Sequence, residues 1–128
     1  LNKIKNINFH YIKTDRIWLR DSGPIFITNK VEKKKVILNF GFNGWSKYKN
    51  YKNDNKINNS ISKIANFKKI DPIIKKKGRI RKIIMEGGAF DINGSGTILL
   101  TEECLLSKIQ ERNKNFKKKT TKKCLINT

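Results

Sequence analysis

The chain reads as an α/β fold in which short strand pairs alternate with short helices. Three observations predict this. Apolar residues alternate with polar ones in several short runs, the pattern of half-buried strands. The loop Asn93-Gly94-Ser95-Gly96 lies between two apolar runs, and an Asn-Gly loop start is a strong local hairpin signal. Ile57, Ile61, Ile64 and Ala65 share one face at helical spacing. The predicted order is two strands, a helix, a strand, two more strands and the start of a helix. That is one structural unit followed by part of a second, with no repeat visible residue by residue.

Taken in order, Asn6 to Ile12 reads as a strand, with Ile7, Phe9 and Tyr11 alternating against Asn8, His10 and Ile12. Thr14-Asp15 turns the chain into Trp18-Leu19-Arg20-Asp21-Ser22-Gly23-Pro24. Ile25 to Asn29 and Val36 to Phe40 are the next strands, an antiparallel pair across a charged hairpin. Gly41-Phe42-Asn43-Gly44-Trp45 sets glycines beside two large aromatics, and Ser46 to Asn55 is a polar loop. A helix starting at Asn58 or Ser60 runs to Phe67, and Asp71-Pro72 punctuates it. Lys75-Lys76-Lys77-Gly78 reads as a solvated turn before a strand from Ile80 to Met85. The hairpin Ala89 to Leu100 comes next. Thr101-Glu102-Glu103 opens a short helix, its acids suiting the N-terminal dipole. Beyond Lys108 apolar residues thin out, so a domain over residues 1–113 and a poorly ordered Lys-rich tail over 114–128 are expected.

The 128 residues suffice for one ordinary domain. The net charge of +20 would usually indicate an anionic partner. Lys, Asn and Ile, however, fill roughly half the chain, the skew of an AT-rich coding sequence, so charge alone decides little. Two cysteines make no disulfide framework. No apolar run reaches the ~18 residues of a membrane span, and no signal peptide is visible, so a cytoplasmic location without membrane contact is expected.

Two acid-bearing stretches stand out in a chain with only 10 acidic residues. In one, Trp18 precedes Asp21 by three residues; in the other, Glu86 precedes two glycines at a strand end. A carboxylate accepts two parallel N–H bonds from a guanidinium, and an indole offers a cation–π face. If both strand ends meet, Trp18, Asp21 and Glu86 would form an anionic pocket for a planar guanidine or amidine. The plain alternatives are a buried Trp18 beside a turn, with Arg20 pairing Asp21, and a salt bridge from Glu86 to a lysine. His10 is the only histidine and reads as structural. Cys104 reads as a small core residue and Cys124 lies in the tail. Gly94-Ser95-Gly96 is no phosphate loop, since no Gly-Lys-Ser/Thr comes after it.

Thr14 to Phe26 around Trp18-Leu19-Arg20-Asp21-Ser22-Gly23-Pro24, then Asn39 to Trp45, Glu86-Gly87-Gly88, Gly94 to Thr97, and Thr101 to Leu106 resemble agmatine deiminase. The wider family includes the bacterial peptidyl-arginine deiminases. The blocks fall in the family's order across residues 9–113. The resemblance implies a partial pentein β/α propeller of about one and a half ββαβ-type units. It implies hydrolysis of a guanidinium group with no metal or organic cofactor, through a cysteine thiolate that attacks the guanidinium carbon. Agmatine is the implied substrate and N-carbamoylputrescine and ammonia the products, a step of putrescine synthesis; protein-arginine deimination is the alternative. By position, Asp21 and Glu86 match two substrate-binding acids, and Trp18 a pocket aromatic.

No His-x-Asp comes after Glu86, and neither cysteine has the nucleophile's context. The resemblance therefore implies a fragment of a longer enzyme, with no catalytic residue of its own and inactive alone. A rival of another class is a small basic nucleic-acid-binding module. It would use lysines 33–35, 75–77 and 117–119 on phosphates, with Tyr48, Tyr51 and Phe67 stacking on bases. In the deiminase reading nucleic acid binds only non-specifically, through charge.

Overall fold

The computed structural model describes residues 5–29, 31–76 and 78–126. Ile4 of the first apolar run, Lys30, Lys77 and residues 127–128 lie outside the described residues. So do the side chains of Lys76 and of residues 123–126, Cys124 among them.

One ββαβ unit forms the centre. Strands β1 (Ile25–Asn29) and β2 (Lys34–Leu38) pair antiparallel, Ile27 opposite Val36. Helix α2 (Ile57–Ile64) then carries the chain over to β3 (Lys68–Ile70), which lies parallel to β2 with Ile37 opposite Lys69. Ile57 at the start of α2 is fully buried and Ile64 at its end half exposed, so the apolar face packs from its N-terminal end. The hairpin of β4 (Ile73–Lys76) and β5 (Arg79–Lys82) comes after it. A second hairpin, β6 (Phe90–Ile92) and β7 (Ile98–Leu100), leads into α3 (Glu102–Leu106), which makes the ββα opening of another unit. Gly94 and Gly96 in its loop have φ of 71° and 96°, a backbone state that side chains resist, and Asn93 Oδ1 accepts the Ser95 and Thr97 amides. The core is Leu38, Phe40, Ile83, Met85 and Leu105, with Ile25, Ile27 and Phe90 packed against it.

Two expectations are corrected. Asn6 to Ile12 is no strand: no described strand offers it a ladder, and Ile7, Phe9, His10 and Tyr11 are exposed, which removes the structural role read for His10. Lys75 and Lys76 are strand residues, drawn in by pairing with Ile80 and Arg79. β3 was not predicted, because two of its three residues are lysines. Residues 118–126 form α4 (Lys118–Ile126), with Thr121 buried and the Lys118 ammonium 2.7 Å from Glu102. No helix among the described residues is long and apolar enough to cross a membrane.

Beyond the strands, two extended segments run side by side. The Gly41 amide donates to the Ile83 carbonyl at 2.8 Å and the Met85 amide to the Gly41 carbonyl at 3.2 Å, a parallel bridge. Asp71 ties the sheet edges, with Lys69 and Lys82 ammonium groups each 2.8 Å from its carboxylate and the Asn39 amide at 2.5 Å. Partial burial opposes ionisation, but these donors win and hold its carboxyl at about 2. The folded value lies below the ordinary 3.8, so its stabilisation is complete above pH 3.8 and lost as pH falls toward 2. Asp71→Asn is therefore expected to lower the melting temperature at pH 6 and to make a much smaller difference at pH 2, read by circular dichroism.

Candidate guanidine-binding site

The parallel bridge of Gly41 and Ile84 sends two segments the same way, so Asn43 to Trp45 and Glu86 to Gly88 emerge at one end. Helix α1 (Leu19–Ser22), a single turn, closes over that end. The Gly-Gly pair explains how closely. A Cβ at Gly87 would fall under 3.0 Å from the Arg20 carbonyl oxygen, and one at Gly88 under 3.0 Å from Asp21 Oδ1, closer than real Cβ atoms come. A larger residue at Gly87 would push α1 off the turn, and one at Gly88 would displace the Asp21 carboxylate. Two stretches far apart in sequence thus meet because one of them lacks side chains.

Glu86 is fully buried. Its Oε1 accepts from Arg112 Nε at 2.8 Å, an ion pair with both partners sealed from water. The same guanidinium is held on two further sides: Nη1 donates to the Gln110 carbonyl at 2.6 Å and Nη2 lies 3.8 Å from Cys104 Sγ. Glu86 Oε2, also buried, has no hydrogen-bond partner among the described residues. Burial pushes the Glu86 carboxyl above its ordinary value, the Arg112 hydrogen bond and charge pull back, and the Asp21 charge adds to the rise. A carboxylate with one oxygen fixed and one orphaned is a pre-set acceptor for an incoming N–H group.

Asp21 is similarly half used. Its Oδ2 accepts the Trp45 indole N–H at 3.1 Å, while Oδ1 faces Gly88 and accepts nothing among the described residues. Asp21 and Glu86 thus lie on neighbouring segments, each with one carboxylate oxygen engaged and one without a hydrogen-bond partner among the described residues. Trp18 stands apart from this pairing. It caps α1 through its carbonyl, which the Ser22 hydroxyl and amide reach, and the residue is 59% exposed. The plain alternatives also fail on these residues: Arg20 makes no ion pair with Asp21 among the described residues, and the Glu86 partner is Arg112 rather than a lysine.

The residue missed by sequence reasoning is Trp45. Its position after Gly44 was visible, but its partner lies 24 residues away and its own backbone is unusual. Its ring contacts Phe42 edge-on at 5.2 Å, and Arg16 covers it at 5.6 Å and Tyr48 at 4.4 Å. Arg16 is itself held by Asn50 and Asp54. Of the three aromatics offered for base stacking, Tyr48 is covered by Arg16 and Phe67 meets Phe26 edge-on at 5.4 Å. Cys104 packs half-buried against the core. Cavities of about 400 and 380 Å³ lie elsewhere, one between Tyr11 and α2 and another over α3 beside Lys118.

The Porphyromonas-type peptidyl-arginine deiminase family model matches residues 1–128. The chain belongs to this family. Among curated relatives, the agmatine deiminase of Pseudomonas fluorescens Pf-5 is 29% identical over 106 residues, 81% of this chain and 27% of that protein. The agmatine deiminase of Ectopseudomonas mendocina is 30% identical over 115 residues, 86% and 28% of the two chains. The structure of the C. jejuni agmatine deiminase with substrate bound superposes with a TM-score of 0.74 at 30% identity, over 98% of this chain and 34% of that one. The agmatine deiminase of Enterococcus faecalis gives 0.72 at 27% identity, over 89% and 30%. This deiminase-family chain therefore has the pentein-type α/β fold of those neighbours across the part it covers. It spans about a third or less of their length.

Proposed function

We propose that this chain supplies half of a guanidine-binding site in an agmatine deiminase-type hydrolase. The observation that carries the reading is the buried, unpartnered Oε2 of Glu86 beside an Asp21 whose Oδ1 is also open. A guanidinium presents several N–H donors in one plane, and two carboxylate oxygens set on adjacent segments would take donors from two of its nitrogens. Trp18, three residues before Asp21 and so on the same side of α1, is free to cover the face of the cation. Family membership adds the chemistry: a thiolate adds to the guanidinium carbon, ammonia leaves, and water releases the ureido product. Asp21 and Glu86 would fix the carbon for attack and balance the charge of the intermediate. The nucleophile and the histidine acid/base of that scheme have no counterpart in this sequence, so here the two acids bind and orient only. Agmatine is preferred to peptidyl arginine because the curated relatives above are agmatine deiminases.

The test is isothermal calorimetry with agmatine and with putrescine, which keeps the amine and lacks the guanidine. Agmatine is expected to bind with a Kd of about 1 mM, as befits two charge-assisted hydrogen bonds less the cost of association, and putrescine not measurably. Affinity should rise with pH through the raised Glu86 value, because only the ionised carboxylate attracts the cation. Equal binding of both amines would refute a guanidine site. No ammonia should be released from agmatine by these 128 residues.

A further inference from the structure

We infer that Trp45 is a positioning residue: its loop sets the spacing and orientation of Asp21 and Glu86 as a pair. The inference rests on the guanidine-binding reading and goes beyond it, because Trp45 has no place in the motifs that define the two acids.

Three observations carry it. Gly44, Trp45 and Ser46 have successive φ values of 63°, 58° and 61°. The left-handed state is unfavourable for an L-residue, and two consecutive non-glycine residues adopt it here. Such strain persists where surrounding contacts over-determine it. The contacts are the second observation. Ser46 donates its amide to Asn43 Oδ1 at 3.1 Å, and the Lys47 and Tyr48 amides reach the Gly44 carbonyl at 3.0 and 3.2 Å. The turned backbone delivers the indole N–H to Asp21 Oδ2. Third, the same loop is tied to the other acid. Ser46 Oγ donates to the Glu111 carbonyl at 3.1 Å, and Asn43 Nδ2 lies 3.4 Å from the Arg112 carbonyl. Arg112 in turn holds Glu86.

The loop therefore closes a ring: Asp21, Trp45, the 43–46 turn, the 111–112 backbone, Arg112, Glu86, and back through Gly88 to Asp21. In this ring Trp45 takes one carboxylate oxygen of Asp21 and Arg112 takes one of Glu86, which leaves one oxygen on each for a ligand. Arg16, stacked on Tyr48 and near the Trp45 ring, holds the indole from the outer side.

A double-mutant cycle of Trp45→Phe and Asp21→Asn in the full chain tests this, read by agmatine titration and by the indole N–H cross-peaks. Trp45→Phe is expected to weaken agmatine binding about tenfold when Asp21 is present and to have no further effect when it is combined with Asp21→Asn. Asp21→Asn is expected to move the Trp45 indole cross-peak and leave that of Trp18 in place. Equal losses from Trp45→Phe with and without Asp21→Asn would overturn the inference, since the indole would then act through packing alone. If agmatine fails to bind the unaltered chain, the guanidine reading falls, and the cross-peak decides the positioning: unmoved by Asp21→Asn it is overturned, moved it stands.

Discussion

Arg112→Ala is expected to destabilise the chain by about 3–5 kcal/mol, the largest single-residue effect in the molecule. The change strips a fully buried Glu86 of its cation and leaves the Gln110 carbonyl without its donor. A whole domain is stable by about 5–15 kcal/mol, so much of the fold's margin goes with it. The carboxyl then escapes by staying protonated, so the loss should be greater at pH 8 than at pH 5. Even with Arg112 present, Glu86 titrates above its ordinary 4.5 because burial outweighs its partner. The native state then holds the proton longer than the unfolded one, and stability falls as pH rises from 4.5 through the raised value. Glu86→Gln should flatten that slope. Removing both charges, as Glu86→Leu with Arg112→Met, should restore much of what Arg112→Ala loses. Urea unfolding of these variants at the two pH values measures each effect; an Arg112→Ala cost under about 1 kcal/mol would show that the pair is not a structural necessity.

Gly87→Ala and Gly88→Ala are expected to part company, although the residues are adjacent. At Gly87 the new methyl meets the Arg20 carbonyl oxygen, backbone that cannot rotate aside, so α1 must lift from the turn. That overpacking should cost about 1–3 kcal/mol, with the larger values expected here. At Gly88 the methyl meets Asp21 Oδ1, the end of a side chain that can swing away. Stability should fall less, but Asp21 would leave both Trp45 and the ligand position, and agmatine binding should be lost. Denaturation and calorimetry on the two variants separate the effects. Matching stability losses with unchanged binding would contradict the placement of Asp21 against Gly88.

Much of this architecture is legible in the sequence wherever the signal is local. The β6–β7 hairpin follows from Asn93 and its glycines, α2 from isoleucines at helical spacing, and the α3 start from Glu102 and Glu103. Elements that exist only through distant partners are not legible. β3 is a strand because β2 offers it a parallel edge, and Asn6 to Ile12, with a better strand pattern, is not one because no described edge receives it. The site divides the same way. Asp21 and Glu86 are conspicuous as acids at element ends in a basic chain, and their glycine neighbours hint at close approach. The engagement of Glu86 by Arg112 and of Asp21 by Trp45 is invisible locally, because it depends on a left-handed turn at residues 44–46 and on a segment 26 residues beyond Glu86.

Whether Asp21 and Glu86 grip one guanidinium together is tested most directly by carboxyl ¹³C spectra of the chain, recorded while agmatine is added at pH 8. The Asp21 and Glu86 resonances are expected to shift in parallel along one binding isotherm, with the Asp71 resonance unmoved. Shifts confined to one of the two acids, or spread evenly over all carboxylates, would contradict a shared grip.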